Sequence, residues 1–166
     1  MELWRDNIVI DQEQLEEVST ALLSNRDSYD YGRGHFSSYY LEWDRRPESV
    51  FSECYGQILD KVAHDLGLIR DYEFSYWMQI YPTGAHHPEH DHLSPNAVYS
   101  WVHFTDPIDL SLFYWTKGGV ETIPPQNKGD FIVFPSWLRH GVKKNTSHRY
   151  RSVIAGNVMV KTKNDF

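Results

Sequence analysis

The chain has 166 residues, of which 40% are hydrophobic, and its 16 basic and 23 acidic side chains give a formal net charge of −7. This length suits one domain spanning 1–166 with its own core. The acidic balance argues against a nucleic-acid partner, because such proteins bind phosphates through basic side chains. The single cysteine excludes an internal disulfide framework.

The N-terminus, MELWRDN, lacks the basic and apolar regions of a secretory signal, and no apolar run approaches the length of a membrane span. The sequence therefore predicts a cytoplasmic protein without a membrane partner. It does not specify an oligomeric state, although a twofold homodimer is the commonest assembly of soluble homo-oligomers.

Residues 1–70 have the pattern of two helices and a long loop. Asp11 is the expected N-cap of the first helix, with Gln14 completing a capping box and apolar residues recurring at helical spacing at Leu15, Val18, Ala21 and Leu22. A second helix is expected after Pro47, and Gly67 is its expected end. Its predicted buried face comprises Val50, Phe51, Ile58, Leu59, Val62, Ala63 and Leu66. The aromatic, aperiodic segment 28–46 between them predicts an ordered loop over a pocket.

From residue 71 the apolar period changes to two, which is typical of strands. Strands are predicted over 72–80, 97–104, 110–115, 130–134 and 149–160, with glycine and proline in the gaps between them. Two helices followed by many short strands predict an α+β, mainly β protein, with helices packed on one face of a β-sandwich or barrel.

Nine histidines are unusual for this length, and five of them lie between His86 and His103. Residues two apart in an extended segment share a face, so His90 and His92 are expected to point into the same cavity. Imidazole nitrogen suits mid-to-late first-row metals, and two such ligands need a third. His140, which follows the strand 130–134 and a turn, is the natural candidate.

The other histidines have plainer explanations. We expect His35, His64 and His148 to be surface residues, His86 and His87 to lie at a pocket rim or the surface, and His103 to be either a core histidine or a supporting residue of the metal site. His87 with Glu89 forms a second pair at the same two-residue spacing.

The order of several motifs resembles the 2-oxoglutarate/Fe(II)-dependent oxygenase superfamily. Tyr81-Pro-Thr-Gly84 precedes His90-Asp91-His92, and a Gly-Gly turn at 118–119 and Gly129-Asp130 follow. The strings FPSWLRHGV and RSVIAGN are similar to those of a subfamily of small bacterial and phage 2OG-Fe(II) oxygenases. The resemblance covers roughly residues 76–160 and implies a double-stranded β-helix (jelly-roll, cupin-like) core over 71–160, behind the helices and loop of 1–70.

The same resemblance implies an enzyme, a dioxygenase that uses Fe(II), 2-oxoglutarate and O₂, releases succinate and CO₂, and hydroxylates an unactivated C–H bond. By register the iron ligands are His90, His92 and His140. A cation is then needed for the distal carboxylate of 2-oxoglutarate, for which arginine is best suited. The implied binding residues are Arg151, with Arg149 as its alternative, a tyrosine (Tyr81 or Tyr76, with Tyr99 and Tyr114 also considered), and Asn157 as a hydrogen-bonding residue.

The usual ligand set is two histidines and one carboxylate, and His90-x-His92 departs from it. Asp91 is an alternative ligand if a bulge reverses the alternation of side chains, and the pair His87 and Glu89 is another. Two other functions compete: a three-histidine cupin-type dioxygenase without 2-oxoglutarate, and a non-catalytic β-sandwich binding module. The substrate is not specified by the sequence, which leaves a protein side chain, an amino acid or a small metabolite.

Overall fold

A computed structural model describes residues 1–106 and 111–162 of the chain. Two helices and ten strands make up its regular structure, and four short 3₁₀ helices lie between the first helix and the second. The helices are α1 Gln12–Leu23 and α2 Ser52–Asp65, and the strands are β1 Trp4–Asn7, β2 Phe36–Ser37, β3 Tyr72–Tyr81, β4 His87–His90, β5 Ala97–Phe104, β6 Phe113–Lys117, β7 Val120–Thr122, β8 Asp130–Pro135, β9 Arg139–Val142 and β10 Arg151–Val160.

The strands form two antiparallel sheets. The larger sheet has the order β1-β8-β5-β10-β3-β2, and the smaller has the order β4-β9-β6-β7. The chain crosses repeatedly between the sheets, so strands that are close in sequence often lie in different layers. The predicted α+β, mainly β class is confirmed.

Each face of the larger sheet packs against a different layer. Tyr76, Met78 and Ile80 of β3 join one core with α1 and α2, whereas Trp77 joins a second core with residues of β6. This alternation is the period-two pattern expected for β3. The helices therefore cover one face of the larger sheet, and the smaller sheet covers the other.

The helix ends follow local sequence signals. The carboxylate of Asp11 accepts a hydrogen bond from the backbone N–H of Gln14 at 2.8 Å, as expected for an N-cap. Gly67 ends α2 with φ +71°, while the backbone N–H of Leu68 bonds to the carbonyl of Ala63.

The predicted buried face of the second helix was wrong at its start. Val50 is 59% exposed and the omitted Tyr55 is fully buried. The reason is that Pro47–Phe51 forms a 3₁₀ helix, whose three-residue turn changes which side chains face the core.

Strand predictions for 72–80, 97–104 and 130–134 match β3, β5 and β8 closely, and β10 covers most of 149–160. Part of the predicted strand 110–115 lies outside the described residues, and β6 begins at Phe113. Strands β1, β2, β4, β7 and β9 were not predicted. No helix in the described part of the chain has the length and apolarity to cross a membrane.

Candidate metal centre

The structure brings His90, His92 and His140 together between the two sheets. His90 ends β4 and lies directly opposite His140 of β9, while the backbone N–H of His92 bonds to the carbonyl of Ser136 at 2.9 Å. One nitrogen from each of the three histidines falls within 4.8 Å of the others. Three imidazoles at this separation are able to bind one metal ion.

Hydrogen bonds to Nδ1 orient all three rings. Nδ1 of His90 lies 2.8 Å from the carbonyl oxygen of Pro88, and Nδ1 of His140 lies 2.8 Å from that of Leu138. Because a carbonyl oxygen only accepts hydrogen bonds, each Nδ1 carries the proton and each Nε2 keeps its lone pair. Hydrogen bonds of this kind at Nδ1 fix the tautomer in which Nε2 can bind a metal.

The third ring is oriented by a side chain. Nδ1 of His92 lies 2.6 Å from Oδ1 of Asn157, which also accepts a hydrogen bond from the Ser100 hydroxyl at 2.8 Å. Asn157 thus hydrogen-bonds directly to His92, one of the candidate metal ligands. Its location on β10 links the histidines to the larger sheet.

Burial keeps the three imidazoles neutral. Burial, together with the neighbouring His90 and His92, lowers the pKa of His140 to about 3. Burial also lowers the pKa of His90 and of His92. A neutral imidazole is the form that binds a metal, so the donor chemistry of this site fits a divalent transition metal.

The nearby carboxylates are engaged elsewhere. Asp91, the alternative ligand, accepts a hydrogen bond from the backbone N–H of Leu93 and pairs with Arg139 at 3.4 Å. Glu89 pairs with the same arginine at 3.0 Å. Within the described residues, the metal-binding group at this position consists of the three histidines.

A cavity of about 580 Å³ opens beside the histidines. Arg151, Tyr81 and Asn157 line it, whereas Arg149 is exposed and lies outside its lining. Arg151 is 8% exposed, and its Nε lies 3.6 Å from the carboxylate of Asp106. Burial raises the pKa of that carboxyl group.

The other tyrosines considered for this role lie outside the cavity lining. The Tyr76 hydroxyl faces the helices, where it donates to the carbonyl of Glu48. His103 is buried on the same side and hydrogen-bonds the Tyr55 hydroxyl at 2.8 Å and the Ile8 carbonyl at 2.8 Å. His103 is therefore a core histidine.

Segment 28–46 forms one wall of the cavity, as predicted for an ordered loop over a pocket. Its lining residues are Arg33, His35, Ser37, Tyr39 and Tyr40. The prediction that His35 is a surface residue was wrong, because β2 pairs with β3 and turns this side chain inward until it is 1% exposed.

Sequence reasoning missed Arg33 and Gln79 as cavity residues. Gln79 had a usable signal, since it lies on the same face of β3 as Trp77 and Tyr81. Arg33 lies in segment 28–46, which was predicted to cover a pocket, but nothing in the sequence singles it out as the residue that contacts His87.

No family model matches the chain, and no curated protein matches it either. Solved structures do match. A prolyl-4-hydroxylase from Pseudomonas putida is 15% identical and aligns with a TM-score of 0.66. The alignment covers 96% of this chain and 92% of that chain. A 2OG-Fe(II) oxygenase family oxidoreductase from Burkholderia pseudomallei is 12% identical, and the two structures align with a TM-score of 0.67. The alignment covers 90% of this chain and 79% of that chain.

A third structure is the epimerase SnoN in complex with Fe³⁺, alpha-ketoglutarate and nogalamycin RO. It is 13% identical, with a TM-score of 0.65 covering 94% of this chain and 78% of that chain. At such identities the likeness establishes the fold. The chain therefore has the jelly-roll fold of the 2-oxoglutarate/Fe(II)-dependent oxygenases, as its sequence resemblance implied.

Proposed function

We propose that this protein is an Fe(II)- and 2-oxoglutarate-dependent dioxygenase that hydroxylates a C–H bond of its substrate. The observation that carries the proposal is the set of three Nε2 atoms, from His90, His92 and His140, that meet at the wall of a cavity containing a buried arginine. Each Nδ1 donates its proton outward, so the arrangement is prepared for a metal before one binds.

His90, His92 and His140 would hold the metal through one nitrogen each and would leave it able to bind a chelating 2-oxo acid and O₂. When bound, Fe(II) and 2-oxoglutarate supply the oxidation: one oxygen atom of O₂ enters the substrate C–H bond and the other enters succinate as CO₂ leaves. The three imidazoles are neutral, so the full positive charge of the ion is available to a dianionic co-substrate.

Arg151 is the proposed partner of the distal carboxylate of 2-oxoglutarate. Its burial removes competing water, and its planar guanidinium binds a carboxylate through two parallel hydrogen bonds. Tyr81 lies opposite Arg151 in the β3–β10 register and faces the same cavity, so its hydroxyl is the proposed second donor. The exposed Arg149 is the weaker alternative.

The wall formed by segment 28–46 is the proposed substrate-recognition element. Tyr39 and Tyr40 are both exposed and line the cavity, so they are available to a molecule that enters from solvent. Structures with this fold include a prolyl-4-hydroxylase and an epimerase in complex with nogalamycin RO. The reaction proposed here is hydroxylation, on a peptide, amino acid or small metabolite.

Anaerobic titration tests the proposal. Adding Fe(II) and then 2-oxoglutarate should produce a weak visible charge-transfer band, and exposure to O₂ should yield succinate. His140→Ala should abolish both signals. Iron binding without a band would favour the cupin-type dioxygenase, and a protein that takes up no iron would favour the binding module.

A further inference from the structure

A second polar cluster lies against the metal centre. His87 stacks on His90 with ring centroids 4.2 Å apart, and packs against His35 at 5.5 Å. Its Nε2 lies 3.2 Å from Nη1 of Arg33, and its Nδ1 lies 3.3 Å from the Tyr81 hydroxyl. The proposed metal site does not use this ring, although the cavity exposes it.

The arginine decides where His87 carries its proton. A guanidinium has only N–H donors, so the nitrogen facing Arg33 must accept. The proton of a neutral imidazole then sits on Nδ1, which points toward Tyr81 and toward the side-chain amide of Gln79 at 3.4 Å. Oε1 of Gln79 is buried without a hydrogen-bond partner among the described residues, and turning that amide would place it against the same N–H.

This arrangement fixes the role of the Tyr81 hydroxyl. The Nδ1–H of His87 is shared between this oxygen and Oε1 of the turned Gln79 amide, so the Tyr81 oxygen accepts and its own hydrogen is free to point into the cavity. Tyr81 is 1% exposed, and burial raises the pKa of its hydroxyl, which stays protonated. Arg151 lies opposite Tyr81 on the neighbouring strand β10. A carboxylate bound beside Arg151 therefore lies in the part of the cavity that the Tyr81 hydroxyl faces.

We propose that His87, held by Arg33, is a positioning residue that turns the Tyr81 hydroxyl toward the carboxylate of the co-substrate. The inference rests on the proposed function, because it takes 2-oxoglutarate as the anion that Tyr81 meets. Hydrogen bonds in such a chain polarise one another, so the donor strength of Tyr81 depends on a ring that itself never touches the ligand.

The test is a double-mutant cycle with 2-oxoglutarate as the probe and the dissociation constant of the Fe(II)-loaded, oxygen-free protein as the readout. His87→Phe keeps a flat ring against His90 but removes both nitrogens. We expect it to weaken 2-oxoglutarate binding about 2- to 12-fold, the range for one hydrogen bond. In a Tyr81→Phe background the same substitution should have no further effect, since the hydroxyl through which it acts is gone.

Two further variants keep the result decisive. Arg33→Gln alters an exposed residue with little risk to folding; because it also removes a positive charge from the cavity lining, it should weaken binding in both backgrounds, and more in wild type than in Tyr81→Phe. His86→Phe changes the exposed neighbouring histidine and should leave binding unchanged. Losses from His87→Phe and Tyr81→Phe that simply multiply in the double variant, or normal affinity in both His87→Phe and Arg33→Gln, would overturn the inference. Wild-type protein that takes up iron but never binds 2-oxoglutarate would instead overturn the proposed function.

Discussion

Asn157 offers a direct test of the candidate metal centre, because it contacts His92 and not the metal. Replacing it with leucine keeps the size of the side chain and removes the oxygen that lies 2.6 Å from Nδ1 of His92 and 2.8 Å from the Ser100 hydroxyl. Two lost hydrogen bonds cost about 1–3 kcal/mol of folding free energy, at about 0.5–1.5 kcal/mol each. Burial of the apolar leucine side chain offsets part of this loss of folding free energy.

The effect on metal binding is separate from the effect on folding. Without the Asn157 oxygen, Nδ1 of His92 keeps only the Ser100 hydroxyl, 3.1 Å away, which can donate or accept and so does not fix the tautomer. Loss of an orienting partner of this kind typically weakens metal binding about 10- to 100-fold. That is about 1.4–2.7 kcal/mol. Asn157→Asp, the matched control, keeps an acceptor oxygen and adds negative charge, so it should bind metal at least as tightly as wild type.

The assay is competition for Fe(II) against a chromophoric chelator under anaerobic conditions, with the melting temperature of each metal-free variant measured alongside. An Asn157→Leu protein that is folded and binds Fe(II) within about twofold of wild type would refute the role assigned to this contact. A loss of affinity equal in Asn157→Leu and Asn157→Asp would also refute it, because only one of them removes the acceptor.

Four other predictions address the cavity and the fold. Arg151→Gln should raise the KM for 2-oxoglutarate by the equivalent of about 2–5 kcal/mol, whereas the exposed Arg149→Gln should leave it near the wild-type value in succinate assays. Gly156→Ala should destabilise the fold by roughly 1–3 kcal/mol in urea denaturation, because the new Cβ would lie 2.5 Å from the Ser75 carbonyl oxygen and 2.5 Å from the Trp101 ring. Gly56→Ala should instead stabilise it by about 0.5–1 kcal/mol, since its Cβ meets only Phe74 at ordinary contact distance. Burial raises the pKa of Glu48, so the folded state binds the proton more tightly and loses stability as pH rises through the acid range. Glu48→Gln should remove that slope, and its unfolding free energy relative to wild type should be larger at about pH 8 than at about pH 4.

The strands that were predictable are those with one face on each core. In β3 the alternation of Tyr76, Met78 and Ile80 with Trp77 is visible in the sequence because two different apolar layers select it. The short strands β4 and β9 read HPEH and RHGV, which have no apolar alternation. Their pairing is determined by neighbouring strands, so local sequence could not reveal it.

The same distinction applies to the cavity. The two-residue spacing of His90 and His92 and the position of His140 after the strand 130–134 predicted that the three would meet. The β4–β9 register, which the sequence did not reveal, is what places His90 opposite His140. Arg33 and His35 enter the cavity through a two-residue strand, β2, that depends on the edge of β3. A contact created by so short an element leaves no periodic signal in the sequence.

The net charge of the chain does not predict the charge around the cavity. The chain as a whole is acidic, with a formal net charge of −7. Beside the histidines, Glu89 and Asp91 share Arg139, and Asp106 pairs with the cavity residue Arg151. Arg33 faces a neutral imidazole: burial lowers the pKa of both His87 and His90, and the charge of Arg33 contributes in the same direction. An anionic ligand in this cavity therefore meets a local field that is set by Arg33 and these few ion pairs, not by the net charge of the chain.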